Sequence, residues 1–174
     1  HKSQGSDMGL FGGFLGWEAH DERLPESEKY IATAGINIAI NIVDIGNGHP
    51  NLYKITLYNN NETRKLTAIS TGGGMIEVIA IDDVKVSMAG DFFETLIYCK
   101  DPENIIAFLK ASISYDNIEF HKGEISFIEI KSQAFLDEAI YKELLAMEAV
   151  LFIKQLQPVL PVMARNNLEV PFIT

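Results

Sequence analysis

The fold of this chain is decided by a stretch in its second half where strand-like and helix-like patterns alternate. The stretch reads TLIYCKDPENIIAFLKASISYDNIEFHKGEISFIEIKSQAFLDEAIYKELLAMEAVLFIKQL, residues 95–156. Short apolar runs predict four strands, and two apolar stripes at helical spacing predict two helices. The resulting order, strand–helix–strand–strand–helix–strand, is that of the ferredoxin-like βαββαβ unit. The stripes are Ile105, Ile106, Leu109 and Ile113 in the first helix, and Leu136, Ile140, Leu144 and Met147 in the second.

The first ninety residues predict two helices beside a mostly antiparallel sheet. The second helix starts at Pro25 and ends at Gly35, because proline suits the first helical turn and glycine suits the residue after the last. Isoleucine alternates with small or polar residues over 36–43, which predicts a half-buried strand. Turn-rich breaks separate four more strands. We therefore expect an α+β protein in three parts: an antiparallel-sheet domain over residues 1–90, a ferredoxin-like domain over residues 91–157 and an extended tail over residues 158–174.

The composition is that of a folded chain with a negative surface. The chain has 174 residues, of which 47% are hydrophobic and 22% charged, and its net charge is −10. Such a charge repels phosphate backbones and anionic lipid, so we expect neither nucleic acid nor a membrane as a partner. A lone cysteine and the lack of a visible secretion signal predict a cytoplasmic location. Because the chain starts at His1 rather than methionine, we expect it to be a piece of a longer protein.

Nucleophilic and metal chemistry find little support in the residue types. Cys99 lies between a predicted strand and a helix N-terminus, where a thiolate would be stabilised, but a small buried thiol is the alternative. No sequence motif pairs a histidine with this cysteine. The four histidines lack the spacing of a metal site, so we expect no metal in this chain. They are His1, His20, His49 and His121.

Two glycine clusters need a physical explanation. Gly72, Gly73 and Gly74 can leave backbone N–H groups open to a carboxylate, or they can form a bulge or a corner of the sheet. The other cluster is a stripe in the first helix, where each interior glycine costs roughly 0.5–1 kcal/mol relative to alanine. Either a ligand or backbone approaches this stripe closely, or the stripe packs tightly on a neighbouring strand. Its members are Gly9, Gly12, Gly13 and Gly16.

Five segments, taken in order, resemble the beta chain of iron–sulfur-dependent bacterial L-serine dehydratases. Four of them are similar to the family's patterns Gly-His-Gly-Thr-Asp, Leu-Leu-Gly-Phe, His-Pro-Asn and Ser-Ile-Gly-Gly-Gly. The second half of the chain is similar to the ACT domain that follows in two-chain forms of that enzyme. In this chain the segments are Ser3-Gln4-Gly5-Ser6-Asp7, Phe14-Leu15-Gly16-Trp17, Asp21-Glu22-Arg23-Leu24-Pro25, Gly48-His49-Pro50-Asn51 and Ser70-Thr71-Gly72-Gly73-Gly74-Met75-Ile76.

The resemblance implies a regulatory or accessory part of an enzyme that eliminates water from L-serine, giving pyruvate and ammonia. In that family a [4Fe–4S] cluster acts as Lewis acid and cysteines of a separate alpha region hold it. No cofactor is therefore expected in this chain, which alone should be inactive. The implied fold is an antiparallel-sheet (ASB-like) domain followed by an ACT-type domain. The implied partners are the catalytic alpha-type region, L-serine or another small amino acid, and a second copy bound through a sheet edge or the ACT-like half.

The resemblance also implies a set of site residues. His49 is the candidate catalytic residue, and six positions face the substrate, an effector or the catalytic region. One of the six, Gln4, stands where the family has histidine, and an amide cannot act as a general base near neutral pH. Asn104 stands where ACT domains have a glycine that lets an effector reach backbone amides. These departures leave open a non-catalytic amino-acid-binding or assembly module. The six positions are Gln4, Asn51, Ser70, Gly72, Gly73 and Gly74.

Overall fold

Both sheets of the protein are antiparallel, as the sequence predicts. The computed structural model describes residues 6–43 and 48–159. Within these ranges it contains four α-helices and eight strands, in two four-stranded sheets. The predicted α+β class is therefore confirmed. The chain divides into two compact units, His1–Gly46 and Asn47–Thr174, and both sheets lie in the second. The predicted domain boundary near residue 90 stays a prediction, and residues 160–174 of the predicted tail lie outside the described residues.

The first unit is built from two short helices and the loop that joins them. Helix α1 spans Ser6–Phe14, a 3₁₀ turn spans Leu24–Glu26 and helix α2 spans Ser27–Thr33. Trp17, in the loop, packs edge-on against Tyr30 of α2 with the ring centroids 5.2 Å apart. Ile31 of α2 is also buried in this unit, at 4% exposed. None of the helices in the described ranges is long and apolar enough to cross a bilayer.

The strand predicted over residues 36–43 is wrong. These residues form neither strand nor helix. Their apolar side chains are largely exposed, with Ile42 at 70% and Val43 at 71%. Alternation of apolar residues produces a strand only where a neighbouring strand can pair with its backbone groups. Among the described residues no strand pairs with this segment, so its backbone groups lack the strand partner that a sheet requires.

The first sheet is a meander whose turns hold the strands in register. The side-chain Oδ1 of Asn59 accepts the backbone N–H groups of Asn61 (2.8 Å) and Glu62 (3.0 Å), which fixes the first turn. Asp82 and Asp83 both take left-handed φ angles, +48° and +66°, which a two-residue hairpin turn requires. These are the turns that the sequence predicts. The strands, in their spatial order, are β1 (Leu52–Tyr58), β2 (Thr63–Gly72), β3 (Met75–Ile81) and β4 (Val84–Met88).

The second sheet has the strand order of a ferredoxin-like unit, as predicted. The spatial order is β6-β7-β5-β8, with every neighbouring pair antiparallel. Pro102 is the N-cap residue of helix α3, and its fixed φ suits the start of a helix. Asp137 caps helix α4 by accepting the N–H of Ile140 at 2.8 Å. The elements are β5 (Phe93–Cys99), α3 (Glu103–Ser112), β6 (Asn117–His121), β7 (Phe127–Ser132), α4 (Glu138–Ala146) and β8 (Val150–Leu156).

The two faces of the second sheet are covered by different elements. Helices α3 and α4 pack on one face through Leu109 and Leu144, both fully buried. All the residues of the two predicted helix stripes belong to this apolar cluster or pack against it. The other face packs on the first sheet, where Phe127 and Tyr98 meet Met88 and Ile81. Side chains alternate between the two faces along each strand, so every second residue of β5 and β7 lies between the sheets.

Candidate functional site

Three of the predicted site residues lie together at one end of the first sheet. The backbone N–H of Asn51 donates to His49 Nδ1 at 3.2 Å. The backbone N–H of Ser70, on β2, donates to the carbonyl oxygen of Asn51 at 2.9 Å. The second of these bonds extends the pairing of β1 and β2 by one residue, and the first ties His49 to the residue so paired. Residues 48–51, which precede β1, are thus positioned by the sheet.

The glycine turn is part of the same end of the sheet. Gly72 pairs with Met75, so Gly73 and Gly74 form a two-residue hairpin turn between β2 and β3. The three glycines have φ angles of +96°, +62° and +80°. A Cβ atom on any of them would meet no atom within 4 Å. The glycines are therefore required by the left-handed backbone and not by lack of space.

This group, which we call the loop cluster, consists of His49, Asn51, Ser70 and Gly72–Gly74. The imidazole of His49 accepts a hydrogen bond at Nδ1, which places the proton of the neutral ring on Nε2. His49, Asn51 and the glycines are exposed, so Nε2–H and the turn backbone can meet a ligand or a partner surface. Gln4, the remaining predicted position, lies outside the described residues. The role of the cluster stays a prediction.

A second polar group, which the sequence does not predict, is buried between the sheets. Glu94 is 3% exposed, Glu129 is 2% exposed and His121 is 9% exposed. His121 Nε2 lies 2.5 Å from Glu129 Oε2, and its ring stacks on Phe127. Lys131 Nζ lies 3.4 Å from Glu129 Oε1 and 3.9 Å from Glu94 Oε1. We call these residues, with the exposed Glu119 beside them, the carboxylate cluster.

The carboxylate cluster is electrostatically strained. Burial raises the pKa of Glu94 to about 8, and the neighbouring Glu129 carboxylate adds to the rise, while Lys131 opposes it. Both oxygens of Glu94, and Oε1 of Glu129, have no hydrogen-bond partner within the described chain. The raised pKa favours the protonated form of the Glu94 carboxyl group near neutral pH.

One signal in the sequence could have revealed the carboxylate cluster. Glu94 shares the strand alternation of Leu96 and Tyr98, and Glu129 shares that of Phe127. A glutamate at a core-facing strand position is unusual, because such residues are almost never fully buried without a partner. The first strand predicted for the ferredoxin-like unit begins at Thr95 and so leaves Glu94 outside it.

Cys99 is a buried thiol and not an activated one. It is 2% exposed at the end of β5. Burial raises the pKa of its thiol, and the charge of Asp101 adds to the rise. A reactive cysteine needs the opposite shift. Of the two interpretations that the sequence left open, the buried thiol is confirmed.

Only one glycine of the predicted stripe, Gly12, is in close contact with another part of the described chain. A Cβ atom on Gly12 would collide with Leu24 Cδ2 and touch the ring of Trp17. At Gly9, Gly13 and Gly16 a Cβ atom would meet nothing within 4 Å. Gly12 is thus tightly packed, but on the 3₁₀ turn and not on a strand as predicted, and the other three are not packed within the described chain. Gly16 also lies beyond the end of α1.

The fold places the chain among α+β proteins with two antiparallel sheets, the second of them ferredoxin-like. Over 152 residues it is 28% identical to the probable L-serine dehydratase beta chain of Bacillus subtilis, covering 83% of this chain and 69% of that protein. Over 115 residues it is 29% identical to the L-serine dehydratase beta chain of Peptoniphilus asaccharolyticus, covering 65% of this chain and 52% of that protein. No protein-family model matches the chain. The predicted resemblance to L-serine dehydratase beta chains is confirmed.

Proposed function

We propose that this chain is a beta-type part of an L-serine dehydratase, with a regulatory and accessory role, and that the catalytic region lies in a separate alpha-type region or chain. The observation that carries the proposal is the similarity over 152 residues to a protein named as a beta chain. The chain spans about half the length of the second relative. A dehydratase built this way converts L-serine to pyruvate and ammonia only when both parts are present.

The residues of this chain do not fit an iron–sulfur cluster. A [4Fe–4S] cluster is normally held by four cysteine thiolates, and the chain has one cysteine. That cysteine is buried beneath α3 and α4, and burial disfavours its thiolate. We therefore assign any cluster to the separate region and derive no step through it.

The loop cluster is the proposed face toward the substrate or the catalytic region. The backbone N–H groups of its glycine turn and the Nε2–H of His49 are donors, which suits the carboxylate of an amino acid. The exposed Asn51 amide supplies both a donor and an acceptor. Gln4 completes the set by resemblance. A small amino acid, L-serine in the first place, is the ligand that this combination favours.

Calorimetric titration of the chain with millimolar L-serine tests the ligand. We expect heat of binding for the natural chain and for His20→Ala, whose histidine is exposed in the other unit. The His49→Ala variant should bind at least tenfold more weakly. Absence of heat from the natural chain would show that the chain has no serine site, and only the role in assembly would be left of the proposal.

Co-purification with a cluster-bearing alpha chain tests the subunit role. Asn51→Arg places a long cation on the loop cluster and should weaken the complex at least tenfold. Asn61→Arg is the matched control, since Asn61 is an exposed asparagine at the far end of β1. Equal retention of both variants would show that the loop cluster does not face the partner. Serine binding with no association at all would favour the non-catalytic amino-acid-binding module.

Self-association through an edge of the second sheet is also proposed. The strand order leaves β6 and β8 at the two edges, and unpaired edges favour strand pairing between copies. Exposed apolar side chains lie on these strands, Phe120 on β6 and Leu151 on β8. Light scattering should give twice the chain mass. A monomer at high micromolar concentration would contradict this arrangement.

A further inference from the structure

The register of β6 and β7 brings three ligand-type side chains together. Glu119 pairs directly with Glu129 across the two strands. His121 is two residues from Glu119 and therefore lies on the same face of the sheet. One ligand atom from each of Glu119, His121 and Glu129 can be chosen so that all lie within 4.8 Å of one another. The histidine spacing along the chain does not reveal this group, because the other two ligands are glutamates and one comes from another strand.

The surroundings of this group have too much negative charge. Like charges directly opposite on neighbouring strands are destabilising, and Glu119 and Glu129 form such a pair. Glu129 Oε1 and both oxygens of Glu94 are buried with no hydrogen-bond partner in the described chain. Against these three carboxyl groups stand the ammonium of Lys131 and the imidazole of His121, which lies 2.5 Å from Glu129 Oε2. Buried carboxylates need a counter-charge, either a proton or a bound cation.

We propose that Glu119, His121 and Glu129 bind a divalent transition-metal ion, for which Zn²⁺ is the best candidate. One imidazole nitrogen and two carboxylate oxygens are a donor set that Zn²⁺ accepts, whereas Mg²⁺ prefers oxygen ligands alone. Glu119 is exposed, so the ion can enter from solvent and a water molecule can fill the fourth position. The bound ion would replace the direct contact of His121 Nε2 with Glu129 Oε2 and would join β6 to β7.

Titration of the full chain with Co²⁺, followed by visible absorption, tests the proposal. Co²⁺ replaces Zn²⁺ in such sites and its spectrum reports the ligand geometry. We expect saturation at one equivalent, with bands of a low-coordinate nitrogen–oxygen site that Zn²⁺ abolishes by competition. Zn²⁺ should also raise the midpoint of thermal unfolding. A linear, unsaturated response or a spectrum of fully hydrated Co²⁺ would overturn the proposal.

Two glutamate variants separate this site from adventitious binding. Glu119→Gln removes an exposed ligand and should leave the fold intact, while weakening Co²⁺ binding at least tenfold and abolishing the thermal shift with Zn²⁺. Glu124→Gln is the matched control, because Glu124 is an exposed glutamate in the loop between the same two strands. His49→Ala controls for the exposed histidine of the loop cluster. Equal affinities in Glu119→Gln and Glu124→Gln, or loss of binding in His49→Ala, would overturn the assignment.

Discussion

At the scale of single residues, Glu94 makes the stability of the metal-free chain depend on pH. Its pKa is about 8 in the folded protein against 4.5 for the free group, because of burial and the charge of Glu129. The folded state therefore holds a proton that the unfolded chain releases between these values. The free energy of unfolding should fall as pH rises from about 4.5 to 8, by up to about 1.4 kcal/mol per pH unit. Urea unfolding in EDTA across this range measures the slope.

The Glu94→Gln variant isolates this contribution. Glutamine keeps the shape of the neutral carboxyl group but does not titrate, so the fall in stability between pH 4.5 and 8 should be reduced. The other charged groups that act on Glu94, namely Glu129, Lys131 and Asp91, are retained. An unchanged slope in Glu94→Gln would show that another group carries the pH dependence.

The helix α1 offers a second comparison between single residues. Gly12→Leu should lower the free energy of unfolding by about 1–3 kcal/mol, the usual cost of overpacking, since its side chain would collide with Leu24. Gly13→Leu, on the open side of the same helix, should cause no loss, because leucine favours a helix over glycine by about 0.8 kcal/mol. Thermal unfolding of both variants checks this, and equal losses would contradict the packing of Gly12 on Leu24.

At the scale of elements, the N-terminal caps of helices α3 and α4 differ. The Asp137 side chain accepts the N–H of Ile140 at 2.8 Å, whereas Asp101 contacts the N–H of Glu103 only at 3.4 Å. Asp137→Ala should cost about 0.5–2 kcal/mol, the typical value of a lost N-cap. Asp101→Ala should cost less than half as much. Denaturant titration measures both, and a larger loss for Asp101→Ala would contradict the assigned caps.

Much of the element order could be predicted because short turns and periodicity act locally. The four strands of the first sheet are the four that turn-rich breaks predict, and helix α4 is followed by β8, the strand predicted after the second helix stripe. The segment 36–43 could not be predicted correctly, because its alternation says nothing about whether a partner strand exists. The same limit applies to the carboxylate cluster. Its contacts arise from the register of β5, β6 and β7, which no local pattern encodes.

At the scale of the whole molecule, the loop cluster and the carboxylate cluster differ in whether the sequence predicts them. Sequence resemblance predicted the loop cluster, and the structure holds His49, Asn51 and Ser70 at one end of the first sheet. The carboxylate cluster emerged only from the fold. Neither cluster supplies the thiolates of an iron–sulfur centre, and the chain's one cysteine is buried. Under the proposed function, the molecule is a scaffold that works with a separate catalytic region.

Pyruvate formation from L-serine tests that account most directly. The chain, an alpha chain reconstituted anaerobically with iron and sulfide, and a mixture of the two are assayed side by side. We expect no pyruvate from this chain alone and a rate for the mixture at least a hundredfold above that of the alpha chain alone. A mixture no faster than the alpha chain, or pyruvate made by this chain without a partner, would contradict the account.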